Sequence, residues 1–519
     1  MNPFLATDGY KTGHHLMYPE GTVTVYSNFT PRSNKYAPMG IEEVVSFGQQ
    51  LIMIKIHNMF KYNFFAKPKF EVCNEIATEL SMYLGGSYDV THIEALHDLQ
   101  YLPIKVKALP EGTLVPMRVP VLTIVNTLPE FYWLTNFLET LISNLLWKPM
   151  TSATIAHTYK KNLRKWALKT HKENVGFVDY QGHDFSMRGM DSLDAVVASS
   201  LGHATSFMGS DSLPCIYGGR YYYGEDGTVV VSVNATEHAV MSAGSEEDEV
   251  GTFKRLMETF PTGILSVVSD TWDLWKVITK YLPALKEEIL ARDGKLVIRP
   301  DSGDPVDIIC GTAPHTSTKT YEDGREAQHK GVIELLWDLF GGTINEQGYK
   351  VLDPHIGAIY GDSITLERAE AICERLEKKG FASTNVVLGI GSFTYQFNTR
   401  DTFGFAMKAT FVEVEEAFLA TPESTEWGMR TVGKEIFKDP VTDSGLKKSA
   451  KGLLRVEEGT IGSTEERTYV LFDQVSWEGE AEGALQVIYE DGMRKNMTTL
   501  SKIRERLQKT VEICESQLI

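Results

Sequence analysis

Between about residues 176 and 400 one hydrophobic pattern recurs along the chain. A short apolar run ends in glycine or in charged residues, and a stretch with helical spacing often follows. The runs read GFVDYQGHDFSMRG, TVVVSVNATEH, ILSVVSDTWD, KLVIRPDSGDP, IGAIYGDS and NVVLGIGSF. Continuous apolar runs of this kind suit strands covered on both faces, and their alternation with helices predicts a parallel sheet. Behind IGAIYGDS, Leu366, Ala369, Cys373 and Leu376 fall on one helical stripe. Behind ILSVVSD, Trp272, Trp275, Ile278 and Leu282 do roughly the same. Six strands that end alike predict an α/β fold: a (β/α) barrel-like domain over 173–397, with its site at the carboxyl ends of the strands.

The flanks carry a different pattern. TVTVYSNF and LPIKVKALPEGTLVPMRVPVLTIVN before the barrel, and FAMKATFVEVE and RTYVLFDQV after it, read as strands. They predict a β-rich α+β domain built from both chain ends, 1–172 and 398–519, with loops at 421–434 and 441–452. A chain of 519 residues is too long for one ordinary core, which agrees with two domains. Residues 311–330 read as an exposed polar insertion.

Composition narrows the function. The net charge of −18 argues against a general binder of nucleic acid or membrane surfaces, both of which attract basic proteins. The most membrane-like window, FYWLTNFLETLISNLLWKPM (131–150), contains Asn136, Glu139, Thr140 and Asn144, so it reads as a buried amphipathic helix. The opening MNPFLATDGYKTGHH has no apolar core of the length a secretory signal needs. Five scattered cysteines form no CxxC, as expected of a reducing cytoplasm.

Candidate chemistry gathers at the strand ends. No P-loop, HExxH or GxSxG motif occurs in the chain. TEHAVMS sets Glu237 beside His238, and VVSDTWD offers Asp270; a carboxylate near a histidine can orient its ring. VIRPDSGDP would point Arg299 and Asp301 into the barrel mouth. HDFSMRG offers Phe185 as a stacking face and Arg188 as an anion ligand. In YGDS, Gly361 and Asp362 suit ribose hydroxyls, and the glycine pair of GIGSF suits a phosphate through free backbone N–H groups. Together these residues describe a site for a phosphorylated sugar and a flat ring.

Over nearly its whole length the chain also resembles the nicotinamide phosphoribosyltransferases, of the type II phosphoribosyltransferase family. The resemblance rests on LATDGYKTGHHLMYP, FYWLTNFLETL, HDFSMRG, MGSDS, ATEHAVM, SVVSD, IRPDSGDP, YGDS, TRD, and FKDPVTD followed by KKSAKG. It implies a homodimer with shared active sites and the conversion of nicotinamide and phosphoribosyl pyrophosphate to nicotinamide mononucleotide and pyrophosphate, with Mg²⁺. The metal ligands stay open. By motif, Phe185 and the partner subunit's Tyr10 would sandwich the pyridine ring, and Asp211, with Ser232 in the substrate site, would accept the carboxamide NH₂. Arg188, Arg299, Asp301, Gly361 and Asp362 would hold ribose, phosphate and amide, and Gly391 and Ser392 the 5′-phosphate. Arg32, Arg400, Lys408, Lys438 and Lys447 would be the cations of the pyrophosphate side. His238, flanked by Glu237 and Asp270, would be phosphorylated by ATP. The family often has arginine where this chain has Gly357. Two other readings stand beside this one, a nicotinate phosphoribosyltransferase and a non-catalytic nucleotide-binding protein on the same scaffold.

Overall fold

The barrel region forms one all-parallel sheet of seven strands in the computed structural model, which describes residues 1–38, 40–312, 325–419, 427–443, 445, 447–460 and 467–516. The sheet order is Gly209–Ser210, Gly182–Asp184, Val386–Ile390, Ile356–Tyr360, Asp293–Arg299, Thr262–Val268, Asn234–Ala235. A parallel bridge from Gly209 to Val231, just ahead of the last of these strands, joins the two edges. The sheet is thus a closed ring. Leu265, Val267, Leu296, Ile298 and Leu388 are fully buried. Alternate residues point inward, as the period of two dictates. The inward positions include Gly209, Ser232, Ala235, Ser266 and Gly357, which are too small to fill the ring, and a cavity of about 470 Å³ remains inside it.

The six expected strands are present, and a seventh, Gly209–Ser210, was missed because two residues carry no period. The TVVVSV run is strand only at Asn234–Ala235. The helix Leu366–Lys378 buries Leu366, Ala369, Cys373 and Leu376, as its stripe requires. After Thr262–Val268 the buried stripe is Leu274, Val277, Ile278 and Leu282, and the two tryptophans lie off it.

The chain divides into two compact units, one of residues 1–154, 220–225 and 398–519, the other of 155–219 and 226–397. The first division falls inside one uninterrupted helix, Glu139–Thr170, where the sequence placed it at 172; the segment 220–225 also joins the first unit. The first unit holds a seven-stranded sheet in the order Trp427–Glu435, Ala406–Leu419, Thr22–Thr30, Leu122–Asn126, Ile104–Ala108, Gln486–Glu490, Met493–Arg494. Its pairs are antiparallel. Of the loop expected at 421–434, 421–426 lies outside the described residues, and Trp427–Glu435 corrects the rest: a polar, largely exposed edge strand gives no hydrophobic alternation. The 131–150 window is helical at Leu134–Phe137 and from Glu139 onward, and no described helix is long and apolar enough to cross a membrane. Of the polar insertion, 313–324 lies outside the described residues, and Glu326–Phe340 is helix.

Candidate active site

Each barrel strand delivers its functional side chain through local turn chemistry. After Asp293–Arg299 the chain must turn at once. Asp270, one turn beyond the neighbouring strand, accepts through Oδ2 from the backbone N–H groups of Asp301 (2.8 Å) and Ser302 (2.8 Å) and from the Ser302 hydroxyl (2.6 Å). Gly303 follows at φ +89°, and Tyr360 donates its hydroxyl to the Gly303 carbonyl at 2.8 Å. Asp304 then caps the helix Pro305–Cys310 by accepting from Val306 N (3.0 Å) and Asp307 N (3.1 Å), with Pro305 in the first turn, where its missing N–H costs nothing. The prolines and aspartates of VIRPDSGDP are therefore a positioning device for Asp301.

The device aims Asp301 at His238. The His238 Nε2 lies 3.2 Å from Asp301 Oδ1, and Nδ1 lies 3.1 Å from Thr271 Oγ1. The direct hydrogen-bond partners of His238 are thus Asp301 and Thr271, whereas Glu237 and Asp270 were expected to flank it. Asp270 is turned to the backbone of 301 and 302, and Glu237 stands exposed at the start of the helix His238–Ala243 without a capping bond. Ligand atoms of His238, Asp270 and Asp301 nevertheless all fall within 4.8 Å of one another. Among the described residues Asp270 Oδ1 is buried without a hydrogen-bond partner, a cost of ~1–3 kcal/mol unless a ligand supplies one.

On the other side of the ring, at the mouth of the cavity, Asp211 follows Gly209–Ser210. Its Oδ1 accepts from His183 Nε2 at 2.9 Å and from the Ser232 hydroxyl. Burial pushes the Asp211 carboxyl up, but the bonds from His183 and Ser232, with the charges of His183 and Arg299, outweigh it and hold the group below its ordinary value of 3.8. The Phe185 ring lies beside His183, with centroids 4.6 Å apart, and the Arg299 guanidinium stands 5.1 Å from its centroid. Arg299 Nε is buried and unbonded. Gly389 lets this ring in: a Cβ there would stand 2.8 Å from Phe185 Cδ2 and 2.6 Å from the Tyr360 carbonyl oxygen.

Gly361 donates its N–H to the Pro300 carbonyl (3.0 Å), and a Cβ on Gly361 would lie 3.2 Å from Arg299 Nε and from Asp301 Cβ. Asp362 is exposed, with Oδ1 3.6 Å from where a Gly391 Cβ would be. Ser392 opens the short helix Ser392–Tyr395 and packs on Gly189, next to the exposed Arg188. At Gly357 the space beside the backbone is taken by Lys295 of the adjacent strand, whose Cδ would lie 3.2 Å from a Cβ there. Burial lowers the Lys295 ammonium and Asp353 opposes that shift.

The remaining expected residues belong to the first unit. Tyr10 is 66% exposed on the turn Gly9–Leu16. It lines a small cavity of about 270 Å³ with Asp8, Glu139, Trp147 and Arg400. Arg32, Arg400, Lys408 and Lys438 form one cationic group. Arg32 is lowered by burial and then by Arg400; Lys408 is lowered by burial, and Arg32 and Lys438 add to the shift. Lys447 is exposed, its backbone N–H bonded to Asp443 at 2.7 Å, and no contact ties it to that group among the described residues.

Sequence reasoning passed over His183, Thr271, Ser302 and Lys295. The strand period could have found two of them. His183 lies two residues before Phe185, and Lys295 two before Val297 and four before Arg299, on one face of a strand. Thr271 and Ser302 act through turns and left no pattern.

The ring and its strand-end chemistry define a class of protein. The human nicotinic acid phosphoribosyltransferase has the same fold, with a TM-score of 0.53 at 16% identity, over 98% of this chain and 94% of that one. A Pyrococcus furiosus nicotinate-nucleotide pyrophosphorylase gives 0.52 at 15%, over 99% and 96%. Residues 180–469 match the nicotinate phosphoribosyltransferase (NAPRTase) family, and the chain belongs to that family. Among its relatives, the nicotinamide phosphoribosyltransferase of Acinetobacter baylyi is 49% identical over 99% of this chain and 98% of its own. That of Xanthomonas campestris pv. campestris is 30% identical over 97% of each.

Proposed function

We propose that the protein transfers the phosphoribosyl group of phosphoribosyl pyrophosphate to nicotinamide, giving nicotinamide mononucleotide and pyrophosphate in NAD salvage. One observation carries the choice of base: the Asp211 carboxylate, kept ionised by His183 and Ser232, stands at the cavity mouth beside the Phe185 ring. It accepts from a carboxamide NH₂ and repels a carboxylate. The relatives named as nicotinamide phosphoribosyltransferases support the same reading. Stacking of the pyridine on Phe185, closed by the partner subunit's Tyr10 in a homodimer, contributes on the order of 1–3 kcal/mol.

The ring nitrogen needs no protein base. The barrier is charge separation, with positive charge growing on the ribose and negative charge on the leaving pyrophosphate. Asp301 and Asp362 face the ribose, and Arg32, Arg400, Lys408 and Lys438 take the phosphates. The carboxylates of Asp270 and Asp301 fit Mg²⁺, given the unbonded Asp270 Oδ1 and the spacing of the cluster. Held there, such an ion would supply charge neutralisation for phosphate oxygens.

His238 is the phosphoryl acceptor in this reading. With Nε2–H given to Asp301, the lone pair is on Nδ1, facing Thr271. Attack of Nδ1 on the γ-phosphorus of ATP forms the N–P bond, and the bond to ADP breaks. The site is cytoplasmic in this account. Labelled nicotinamide or nicotinate, incubated with phosphoribosyl pyrophosphate with and without ATP, tests it. Mononucleotide from nicotinamide is expected, faster with ATP; equal use of both bases overturns the assignment.

A further inference from the structure

Among the carboxylates near the cationic group of the first unit, Asp401 pairs with Arg400 at 3.5 Å, and Glu139 does something different. Glu139 is the first residue of the helix Glu139–Thr170, and it spends its two oxygens on two lysines from different elements. Oε2 lies 2.8 Å from Lys11 Nζ, on the turn that carries Tyr10. Oε1 lies 3.7 Å from Lys408 Nζ, on the strand Ala406–Leu419. The Lys11 side chain is 4% exposed, and this carboxylate is the ion-pair partner of its ammonium. Lys408 is also held by the Met407 carbonyl at 2.6 Å. His14 and Tyr10 feel the same carboxylate, and Asp8 and Arg400 line the same cavity.

A carboxylate among phosphate-binding cations is a contradiction unless it serves the cations. Direct repulsion of a phosphate would weaken binding. The physical difficulty on the other side is larger. Lys408 is set among Arg32, Lys438 and Lys11, and burial and these like charges all favour the neutral amine. Glu139 is the nearby group that acts in the opposite sense on Lys408. A lysine that has shed its proton binds no phosphate.

We propose that Glu139 is a positioning residue for the pyrophosphate side of the site: it keeps Lys408 charged and in place before the substrate arrives, and ties that lysine to the turn bearing Tyr10. The inference rests on the phosphoribosyl transfer proposed above, in which Lys408 takes phosphate.

The test compares wild type, Glu139→Gln and Glu139→Asp from pH 6.5 to 9. In Glu139→Gln, Lys408 loses its counter-charge and titrates at lower pH. The KM for phosphoribosyl pyrophosphate is then expected to exceed that of wild type by a ratio that grows with pH across this window, approaching about tenfold per pH unit where Lys408 is neutral in the variant and charged in wild type, one proton per binding event. The KM for nicotinamide stays near wild type. Glu139→Asp restores most of the difference, which a loss of folding would not. Calorimetry with inorganic pyrophosphate at pH 8.5, in buffers of different ionisation enthalpy, gives a second readout: more proton uptake on binding for Glu139→Gln than for wild type. A pH-independent ratio of KM values, equal proton uptake, or a KM lower than wild type throughout overturns the inference. If wild type makes no mononucleotide but binds pyrophosphate, the functional reading fails first, and the proton uptake still decides the role of Glu139.

Discussion

Replacing Asp211 by asparagine tests the base preference most directly. His183 Nε2 and the Ser232 hydroxyl both donate to Oδ1, so the asparagine oxygen takes that place and the NH₂ group falls where Oδ2 was. An acceptor facing the ligand becomes a donor. For nicotinamide this removes a charge-assisted hydrogen bond, ~1.5–3 kcal/mol, or about 10- to 100-fold in kcat/KM. For nicotinate it removes a repulsion. Two charges 4 Å apart at an effective dielectric of 20 repel by about 4 kcal/mol. The Asp211 side chain is 38% exposed, so screening reduces that figure to roughly 1.5–3 kcal/mol. The ratio of kcat/KM for the two bases is therefore expected to shrink by about 10²–10⁴ in Asp211→Asn, through opposite changes in its two terms. The wild-type preference should also be flat between pH 6 and 8. A carboxylate whose native pKa is depressed below 3.8 is charged throughout that range; the stability linked to it is fully present above 3.8 and is lost only as pH falls through the native value. Parallel initial-rate measurements with both labelled bases decide it. An unchanged ratio in the variant, or a wild-type preference that titrates near neutrality, would refute the reasoning.

His238→Ala should abolish ATP stimulation and acid-labile, base-stable ³²P incorporation from γ-labelled ATP while leaving slow transfer without ATP; retained labelling makes the histidine structural. Gly389→Ala puts a methyl group 2.8 Å from Phe185 Cδ2 and should raise the nicotinamide KM by about tenfold, with ~1–3 kcal/mol lost in denaturant unfolding; wild-type values for both would show that the ring yields freely. Inactive Tyr10→Ala and Asp301→Ala chains, co-assembled, should regain part of the wild-type rate through hybrid sites, and none in verified mixed dimers counts against a shared site.

The barrel was legible because its strands are buried on both faces and end abruptly, which leaves apolar runs with polar ends. Gly209–Ser210 and Trp427–Glu435 escaped for opposite reasons: one is too short to show a period, the other too exposed to need one. The placement of Phe185 and Asp301 at strand ends was legible from the apolar runs before them, whereas Asp211, behind a strand of two residues, entered only through the family resemblance. Partnership was not legible. Glu237, next to His238 in sequence, is not its partner; Asp301, sixty-three positions away, is, because parallel strands bring their ends together. Beside Gly357, where the family often has arginine, the adjacent strand brings Lys295, a neighbour that no single strand's sequence records.

The ring closes unevenly. Asp293–Arg299 is tied to Thr262–Val268 over its whole length, whereas the closure around Gly209 and Ala235 is carried by short pieces: the bridge to Val231, the pairs Asn234–Leu265 and Ala235–Ser266, and the bonds of Thr236 to Ser266 and Val268. Asp211 and Ser232 stand just beyond that bridge, on opposite sides of the seam, and bond to each other across it. A carboxamide docked on Asp211, as proposed, would thus draw on bonds that also hold the seam shut. Ligand occupancy and local opening become linked equilibria: the open seam binds nothing, and the bound ligand depopulates the open seam. In such a barrel, damage at 231–235 that leaves the pocket chemistry intact surfaces as a weaker ligand while the melting temperature, set by the well-tied strands, barely moves.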